Sequence, residues 1–215
     1  MGHPYWPLFD LRLRTGRVEL RLPTDEDLVN LATLAARGVH DPSTMPFLFP
    51  WTDQPSPELE RGLLQWGWRH RAGWSVDDWT FNTAVVVDGH VVGVQSLTGQ
   101  DFTAQRLVKS GSWLGREYQG QGVGKEMRTA ILHFAFHGLG ARVAQSGGFV
   151  DNERSLRLSR SLGYTESARR VVERRGVPTE VLEVEVDRAT WERQSHPLVE
   201  IVGLTPCLEF FVTSN

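Results

Sequence analysis

Cysteine and long apolar runs are scarce in this sequence. Its 215 residues include one cysteine, Cys207, so no disulfide can form within the chain. A chain without disulfides suits a reducing compartment, and we expect the protein to be cytoplasmic. The N-terminal stretch has no basic segment followed by an apolar run, which predicts that it is not a signal peptide. No stretch reaches about 18 uninterrupted apolar residues, so we expect no membrane span.

A basic excess is also missing. Lysine and arginine number 23 against 26 acidic residues, which gives a formal net charge of −3. Proteins that bind nucleic acids usually carry a marked positive charge, so we expect no nucleic-acid partner. A local cluster of arginines, with glutamates among them, favours a solvated face from which one or two members could meet a phosphate or an anionic acyl tail. Its members are Arg154, Arg157, Arg160, Arg169, Arg170, Arg174 and Arg175.

What the chain does contain is an alternation of strand and helix patterns. Apolar residues recur at strand spacing over 18–22, 81–87, 91–98, 109–114, 142–149 and 180–186, and at helical spacing over 24–37, 57–71, 123–138 and 153–162. This order predicts a mixed α/β fold. No linker-like stretch interrupts it, so we expect a single domain over 1–215. Its core would span about 16–190, with a C-terminal extension at 191–215 that ends in a tail or an added strand.

A glycine-rich turn between a predicted strand and an amphipathic helix is the most informative segment. It reads Gln119-Gly120-Gln121-Gly122-Val123-Gly124-Lys125. Glycines let the backbone approach a ligand closely, and the N–H groups of a first helical turn favour phosphate, so a pyrophosphate is the natural ligand. A Walker A loop is excluded, because the glycines are one residue too close and Glu126 follows the lysine in place of a hydroxyl residue. The Gly-x-Gly-x-Gly spacing also differs from the dinucleotide fingerprint.

At these residues the sequence resembles the GNAT superfamily of acyl-CoA N-acyltransferases. The family signature Gln/Arg-x-x-Gly-x-Gly/Ala is matched by 119–124, and the family's Asn-x-x-Ser helix with its closing Gly-aromatic pair is matched by 152–155 and 163–164. Trp113-Leu114 before the turn looks most like the RimJ/RimL-type branch. The segments 6–12 and 40–47 are similar to a GNAT succinyltransferase subgroup.

The resemblance implies a fold and a ligand. The GNAT fold is α/β (α+β), with a mixed, mostly antiparallel central sheet, flanking helices and middle strands that splay apart. The implied donor substrate is acetyl-CoA or succinyl-CoA, without a metal. Backbone amides of 121–125 would hold the pyrophosphate, and the splayed strand and the Asn helix would hold the pantetheine arm. The implied donor-binding residues are Trp113, Leu114, Gln119, Gly120, Gln121, Gly122, Val123, Gly124, Lys125, Asn152 and Ser155.

The resemblance also bears on proton transfer. Many relatives place a tyrosine acid seven residues after the Asn; Ser159 stands there in this chain, where it could relay a proton or only pack. Asp101 follows the strand 91–98, near where that strand should face the acceptor, and is a candidate base. His40-Asp41 is a second candidate. His133 and His137 have the spacing of two zinc ligands but lack a third, so we interpret them as ordinary helix residues.

The predicted function is transfer of an acyl group, acetyl by default, from acyl-CoA to a primary amine. The acceptor is a protein N-terminus or a small molecule, and attack is direct within a ternary complex. Succinyl-CoA is the alternative donor, and a non-catalytic module that binds acyl-CoA is the alternative of another class. The sequence leaves a homo-oligomer open.

Overall fold

A single nine-stranded sheet runs through residues 2–213, the part of the chain that the computed structural model describes. The strands β1 to β9 span Arg12–Thr15, Val18–Arg21, Asp78–Val87, His90–Gln100, Leu107–Leu114, Val143–Phe149, Thr165–Arg174, Val177–Asp187 and Glu200–Val202. Their spatial order is β7-β8-β6-β5-β4-β3-β2-β1-β9. Every neighbouring pair is antiparallel except β5 with β6. The predicted mixed, mostly antiparallel sheet is therefore confirmed.

Helices cover both faces of the sheet. Helices α1 to α6 span Asp25–Arg37, Glu58–Ala72, Phe102–Gln105, Val123–His133, Glu153–Ser161 and Arg188–Glu192. On β3, Ala84 and Val86 pack with α1 and α2, whereas Val85 and Val87 pack with α4. Since successive strand residues point to opposite faces, α1 and α2 lie on one face and α4 on the other. We call these the α1 face and the α4 face.

The two parallel strands separate soon after they begin. Leu107, Val108 and Lys109 pair with Val143, Ala144 and Gln145, and the pairing between β5 and β6 stops there. Beyond this point β5 remains bonded to β4 as far as Leu114, and β6 remains bonded to β8 as far as Phe149. Each strand is thus held on its outer edge while a gap opens between them. This is the splay that the resemblance implied.

The predictions do not include β1 or β7, and they give β9 only as the alternative to a tail. β1 and β9 are short and lie at one edge of the sheet, and the alternation Leu11-Arg12-Leu13-Arg14 at β1 covers only four residues. β7 is exposed along its length, with two half-buried residues. It is held by its hairpin with β8 and by ion pairs, among them Arg169 with Glu180 at 3.2 Å and Arg170 with Glu183 at 2.7 Å. The arginine cluster is therefore solvated in part, as expected, but much of it lies on an edge strand.

The C-terminal segment completes the core. Cys207 and Phe211 are fully buried, and the Phe211 carbonyl accepts a hydrogen bond from the Trp79 indole at 3.1 Å. Strand β9 is the added strand that the sequence left as one alternative, and it pairs with β1. Burial raises the pKa of the Cys207 thiol to about 11, which disfavours the thiolate that a covalent acyl-cysteine route needs.

Within residues 2–213, none of the helices combines the length and apolar character that crossing a bilayer requires.

Candidate functional site

A cavity of about 1130 Å³ occupies the splay between β5 and β6. Residues 109–114 of β5 and 145–147 of β6 form its inner walls, and the glycine-rich turn, α4 and α5 close one end. On the α1 face the cavity is bordered by the segment between α1 and α2, at 39–48, and by β8. The cavity thus runs through the sheet, from a helix N-terminus on the α4 face to an open side on the α1 face.

The glycine-rich turn has the backbone that its sequence predicts. Gly120 and Gly122 have φ of +77° and +87°, in the left-handed region that favours glycine. Gly122 is the N-cap of α4, and no side chain caps this helix. The N–H groups of Val123 and Gly124 precede the first intrahelical bonds and have no partner within the helix. The N–H of Lys125 donates to the Gly122 carbonyl at 2.9 Å, so it is less available to a ligand.

Gln119 braces the turn. Its amide nitrogen donates to the carbonyls of Leu114 (2.9 Å) and Val39 (2.7 Å), and its amide oxygen accepts from Arg154 (2.9 Å). These bonds tie the turn to the end of β5, to the end of α1 and to α5. Gln119 therefore holds the loop in shape, and Arg154 places a cation beside it; contact of this arginine with a phosphate stays a prediction. The side chain of Gln121 points elsewhere and donates to the Glu117 carbonyl at 2.6 Å.

Asn152 and Ser155 line the cavity at the start of α5. The Asn152 side-chain oxygen accepts from the Ser155 N–H at 3.3 Å and so caps this helix. The part of Asn152 that a ligand could use is therefore its amide nitrogen. Trp113 and Leu114 line the cavity at the end of β5, as the resemblance implied. The other donor-binding residues that the resemblance implies lie on the glycine-rich turn and at the start of α4. Their contacts with a donor stay predictions.

Aromatic rings and a carboxylate line the cavity on the α1 face. The Trp113 ring is tilted against that of Trp51, which contacts Phe47 in turn, with ring centroids 5.6 and 5.2 Å apart. Across β6, Gly147 is the register partner of Glu183 on β8, and partners in an antiparallel pair project to the same face. The Glu183 carboxylate therefore borders a position where β6 has no side chain, and it lines the cavity.

A buried polar cluster lies on the α4 face of the same gap. Arg128, on α4, is 3% exposed, and its guanidinium reaches the hydroxyls of Ser112 on β5 (3.4 Å) and Ser146 on β6 (3.5 Å). The Tyr164 hydroxyl lies close by, without a partner at hydrogen-bond geometry. Burial raises the pKa of Tyr164, against the opposing effects of Arg128 and Ser110, so its hydroxyl stays protonated. We call Arg128, Ser110, Ser112, Ser146 and Tyr164 the splay cluster.

The two predicted catalytic residues do not line the cavity. Asp101 follows the end of β4 in a left-handed conformation (φ +47°), with an exposed carboxylate and its N–H bonded to the Asp77 carbonyl. Ser159 is 2% exposed near the end of α5, where its carbonyl accepts from the Tyr164 N–H at 3.2 Å. Their roles stay predictions. Of the second pair of candidates, His40 lines the cavity, but its Nε2 is engaged with the Thr52 hydroxyl at 2.7 Å.

His133 ends α4, and His137 lies in the helical turn that follows, Phe134–Gly138. Their rings are 4.6 Å apart, and burial, with a smaller effect from the nearby His137, lowers the pKa of His133. Within residues 2–213 no third histidine, cysteine or carboxylate joins them to form a ligand set.

Sequence reasoning missed Glu183 and Arg128. Glu183 lies on a strand that was predicted, but its place beside Gly147 depends on which strands become neighbours. Arg128 follows Met127 on a helix that is buried on every side from Met127 to Leu132. The only signal is a charged residue among apolar ones, which does not show what the charge faces.

Three solved acetyltransferase structures share this fold. One is the RimL ribosomal L7/L12 alpha-N-protein acetyltransferase in complex with coenzyme A, with a TM-score of 0.66 and 18% identity, covering 82% of this chain and 97% of that one. Another is the ribosomal-protein-S5-alanine acetyltransferase from Vibrio fischeri, with a TM-score of 0.65 and 18% identity, covering 84% and 98%. A chimera of the Vibrio cholerae spermidine N-acetyltransferase SpeG has a TM-score of 0.65 and 15% identity, covering 83% and 100%.

The family is shown by the sequence itself. The acetyltransferase (GNAT) domain family matches residues 17–165, which is more than half of the chain and includes the glycine-rich turn and α5. With the splayed sheet and the uncapped helix in place, this chain belongs to the GNAT acetyltransferase family.

Proposed function

We propose that the protein transfers an acyl group from acyl-CoA to the primary amine of a protein N-terminus or a small molecule. The observation that carries this proposal is the cavity in the splay, which begins at the uncapped N-terminus of α4 and continues between two strand edges. An elongated thioester with a pyrophosphate at one end suits that shape. The donor is acetyl-CoA or succinyl-CoA.

The reaction is a direct displacement in a ternary complex. The amine nitrogen attacks the thioester carbonyl carbon, the C–S bond breaks, and the coenzyme leaves as a thiolate that takes up a proton. The edge of β5 that faces the gap offers main-chain N–H groups for the oxyanion that forms on the way. The amine approaches from the α1 face, where the cavity is open and the carboxylates of Asp41 and Glu183 line it. Two carboxylates there favour a cationic amine.

We infer that the Glu183 carboxylate is the base that accepts the proton of the attacking amine. Gly147, its partner on β6, and Gly111 on β5 both lie two residues beyond the last pair of the parallel strands, Lys109 with Gln145. They are therefore at the same depth in the splay and leave open the space in front of Glu183. Asp101 lies outside the cavity lining, and the Asp41 carboxylate is held by the hydroxyl and N–H of Ser43, which lower its pKa. A carboxylate with a lowered pKa is a weaker base. Glu183 is also paired, since Arg170 donates to its Oε1 at 2.7 Å, so its other oxygen, Oε2, is the one that would accept the proton.

The donor site is tested by Gly122→Asp. A carboxylate at this position would place a negative charge where the pyrophosphate binds, so we expect affinity for CoA to fall at least about tenfold, or about 1.4 kcal/mol. Calorimetry measures this directly. A Cβ at Gly122 would meet nothing closer than a Glu126 oxygen at 3.7 Å, but the φ of +87° strains any side chain there, so the fold of the variant is checked by its thermal unfolding.

Two matched variants act as controls. Gly122→Asn has nearly the same shape without the charge and should retain more affinity than Gly122→Asp. Gly124→Ala adds a Cβ that meets only Leu158 at 3.6 Å, and it should fold at least as stably, because alanine is the better helix former. CoA affinity unchanged in folded Gly122→Asp would contradict the proposed site. CoA binding without thiol release, across a set of pooled amines, would show a binding module instead of an enzyme.

A further inference from the structure

Arg128 is a buried cation without a carboxylate. It is 3% exposed, and within residues 2–213 no acidic side chain forms an ion pair with it. Its Nε has no hydrogen-bond partner, and its two serine contacts are long at 3.4 and 3.5 Å. By contrast Arg21, which is more exposed, forms a bidentate pair with Asp27 at 2.5 and 2.8 Å. A buried charge without a partner is costly, so this arrangement favours an anionic ligand.

The guanidinium lies inside the splay. It spans from Ser112 on β5 to Ser146 on β6, just beyond the point where those strands stop pairing. It is one helical turn further along α4 than Gly124 and points towards the strands. Arg128, Ser112 and Ser146 line the same cavity as Gly122, so a donor whose pyrophosphate binds at Gly122 and whose arm runs between the strands would pass within reach of the guanidinium.

Hydroxyl groups surround the guanidinium. Those of Ser112 and Ser146 accept from it, the Ser146 hydroxyl donates in turn to the Ser110 carbonyl at 3.1 Å, and the protonated Tyr164 hydroxyl lies close by. The Glu183 carboxylate projects from the opposite face of the sheet. A carboxylate placed among these groups would accept a charge-assisted bond from the guanidinium, and this class of bond is roughly twice as strong as a neutral one. An apolar acyl end would leave the Arg128 Nε and the Tyr164 hydroxyl without a partner.

We propose that Arg128 binds a carboxylate at the end of the donor's acyl group, so that the protein selects short dicarboxylic acyl-CoA thioesters over acetyl-CoA. The inference rests on the proposed function, because it assumes that the cavity holds an acyl-CoA. It also fits the division of the cavity, since the acyl tail would point to the α4 face while the amine attacks from the α1 face.

The test is calorimetry on the whole protein, without an acceptor, with CoA and with acetyl-, butyryl-, malonyl- and succinyl-CoA. Butyryl-CoA is the control for chain length, since it has the four acyl carbons of succinyl-CoA and no terminal carboxylate. Succinyl- or malonyl-CoA should bind at least about tenfold more tightly than butyryl-CoA, and the better of the two gives the length of the acyl group. Equal binding of all the thioesters would overturn the inference and leave the proposed function standing. Failure of CoA itself to bind would overturn both.

Substitutions then assign the preference to Arg128. Arg128→Gln should remove it while leaving affinity for CoA within about threefold of wild type, and Arg128→Lys should retain part of it. A control at the other end of the cavity is Arg154→Gln, which should weaken CoA and every thioester alike. If Arg128→Gln lowers the affinity for CoA, acetyl-CoA and succinyl-CoA by the same factor, Arg128 serves the common part of the donor and the inference is wrong. The comparison of succinyl- with butyryl-CoA on the wild-type protein decides the question even if Arg128→Gln does not fold.

Discussion

Replacing Phe211 by alanine is expected to lower the free energy of unfolding by about 3–5 kcal/mol, the range for a large aromatic side chain removed from a core. Phe211 is fully buried although it lies two residues from the end of the described chain. Its ring centroid is 4.9 to 5.7 Å from those of four other rings, which belong to Trp74, Trp79, Phe81 and Phe134. The alanine variant would leave a cavity among side chains that the sheet and α4 hold in place.

Urea denaturation of Phe211→Ala and of Leu198→Ala provides the measurement and its control. Leu198 belongs to the same C-terminal segment but is 88% exposed, so its loss should change the free energy of unfolding by no more than about 0.5 kcal/mol. A loss below about 1 kcal/mol for Phe211→Ala would show that the segment is a dispensable tail.

Local patterns predicted most of the sheet and failed where strands depend on distant partners. The strands 81–87 and 91–98 are joined by Asp88-Gly89, a strong hairpin signal, and the structure pairs them as β3 and β4. β9 has three residues and pairs with β1, about 190 residues earlier in the chain. β7 has no buried side. Neither could be recognised from periodicity, because periodicity reports burial of one face and these edges bury little.

In the candidate site, too, features set by consecutive residues could be predicted, and features set by distant partners could not. The glycine-rich turn was predicted because its chemistry lies in consecutive residues, and a left-handed Gly122 at a helix start is a local property. Glu183 and Arg128 acquire their surroundings from the order of β5, β6 and β8 and from the depth at which the pairing stops. Asp101 is a candidate because a strand end often faces a ligand; the cavity lies further along the sheet, where β5 and β6 separate, and the role of Asp101 stays a prediction.

The other large effect is expected on turnover, when the proposed base Glu183 is replaced. Glu183→Gln keeps the shape of the side chain and removes its basicity, so turnover should fall at least about a hundredfold, or about 2.7 kcal/mol in the activation free energy. The amide oxygen of the glutamine can still accept from Arg170, which bonds Glu183 at 2.7 Å, so the hairpin of β7 and β8 should be preserved. Affinity for the donor should stay the same, because Glu183 faces the acceptor side. A lowered kcat with unchanged CoA binding distinguishes a lost base from a damaged donor site.

Asp101→Asn is the matched variant, since it makes the same chemical change at the other candidate carboxylate. We expect it to retain near-normal turnover, because Asp101 is exposed at the end of β4 and does not line the cavity. Both variants are compared with wild type at saturating donor over a range of pH, so that a slower proton transfer is not mistaken for a change in the ionisation of the amine. Loss of turnover in Asp101→Asn with normal turnover in Glu183→Gln would transfer the role to Asp101. It would also mean that the amine reaches the thioester from the end of β4, and not across Gly147.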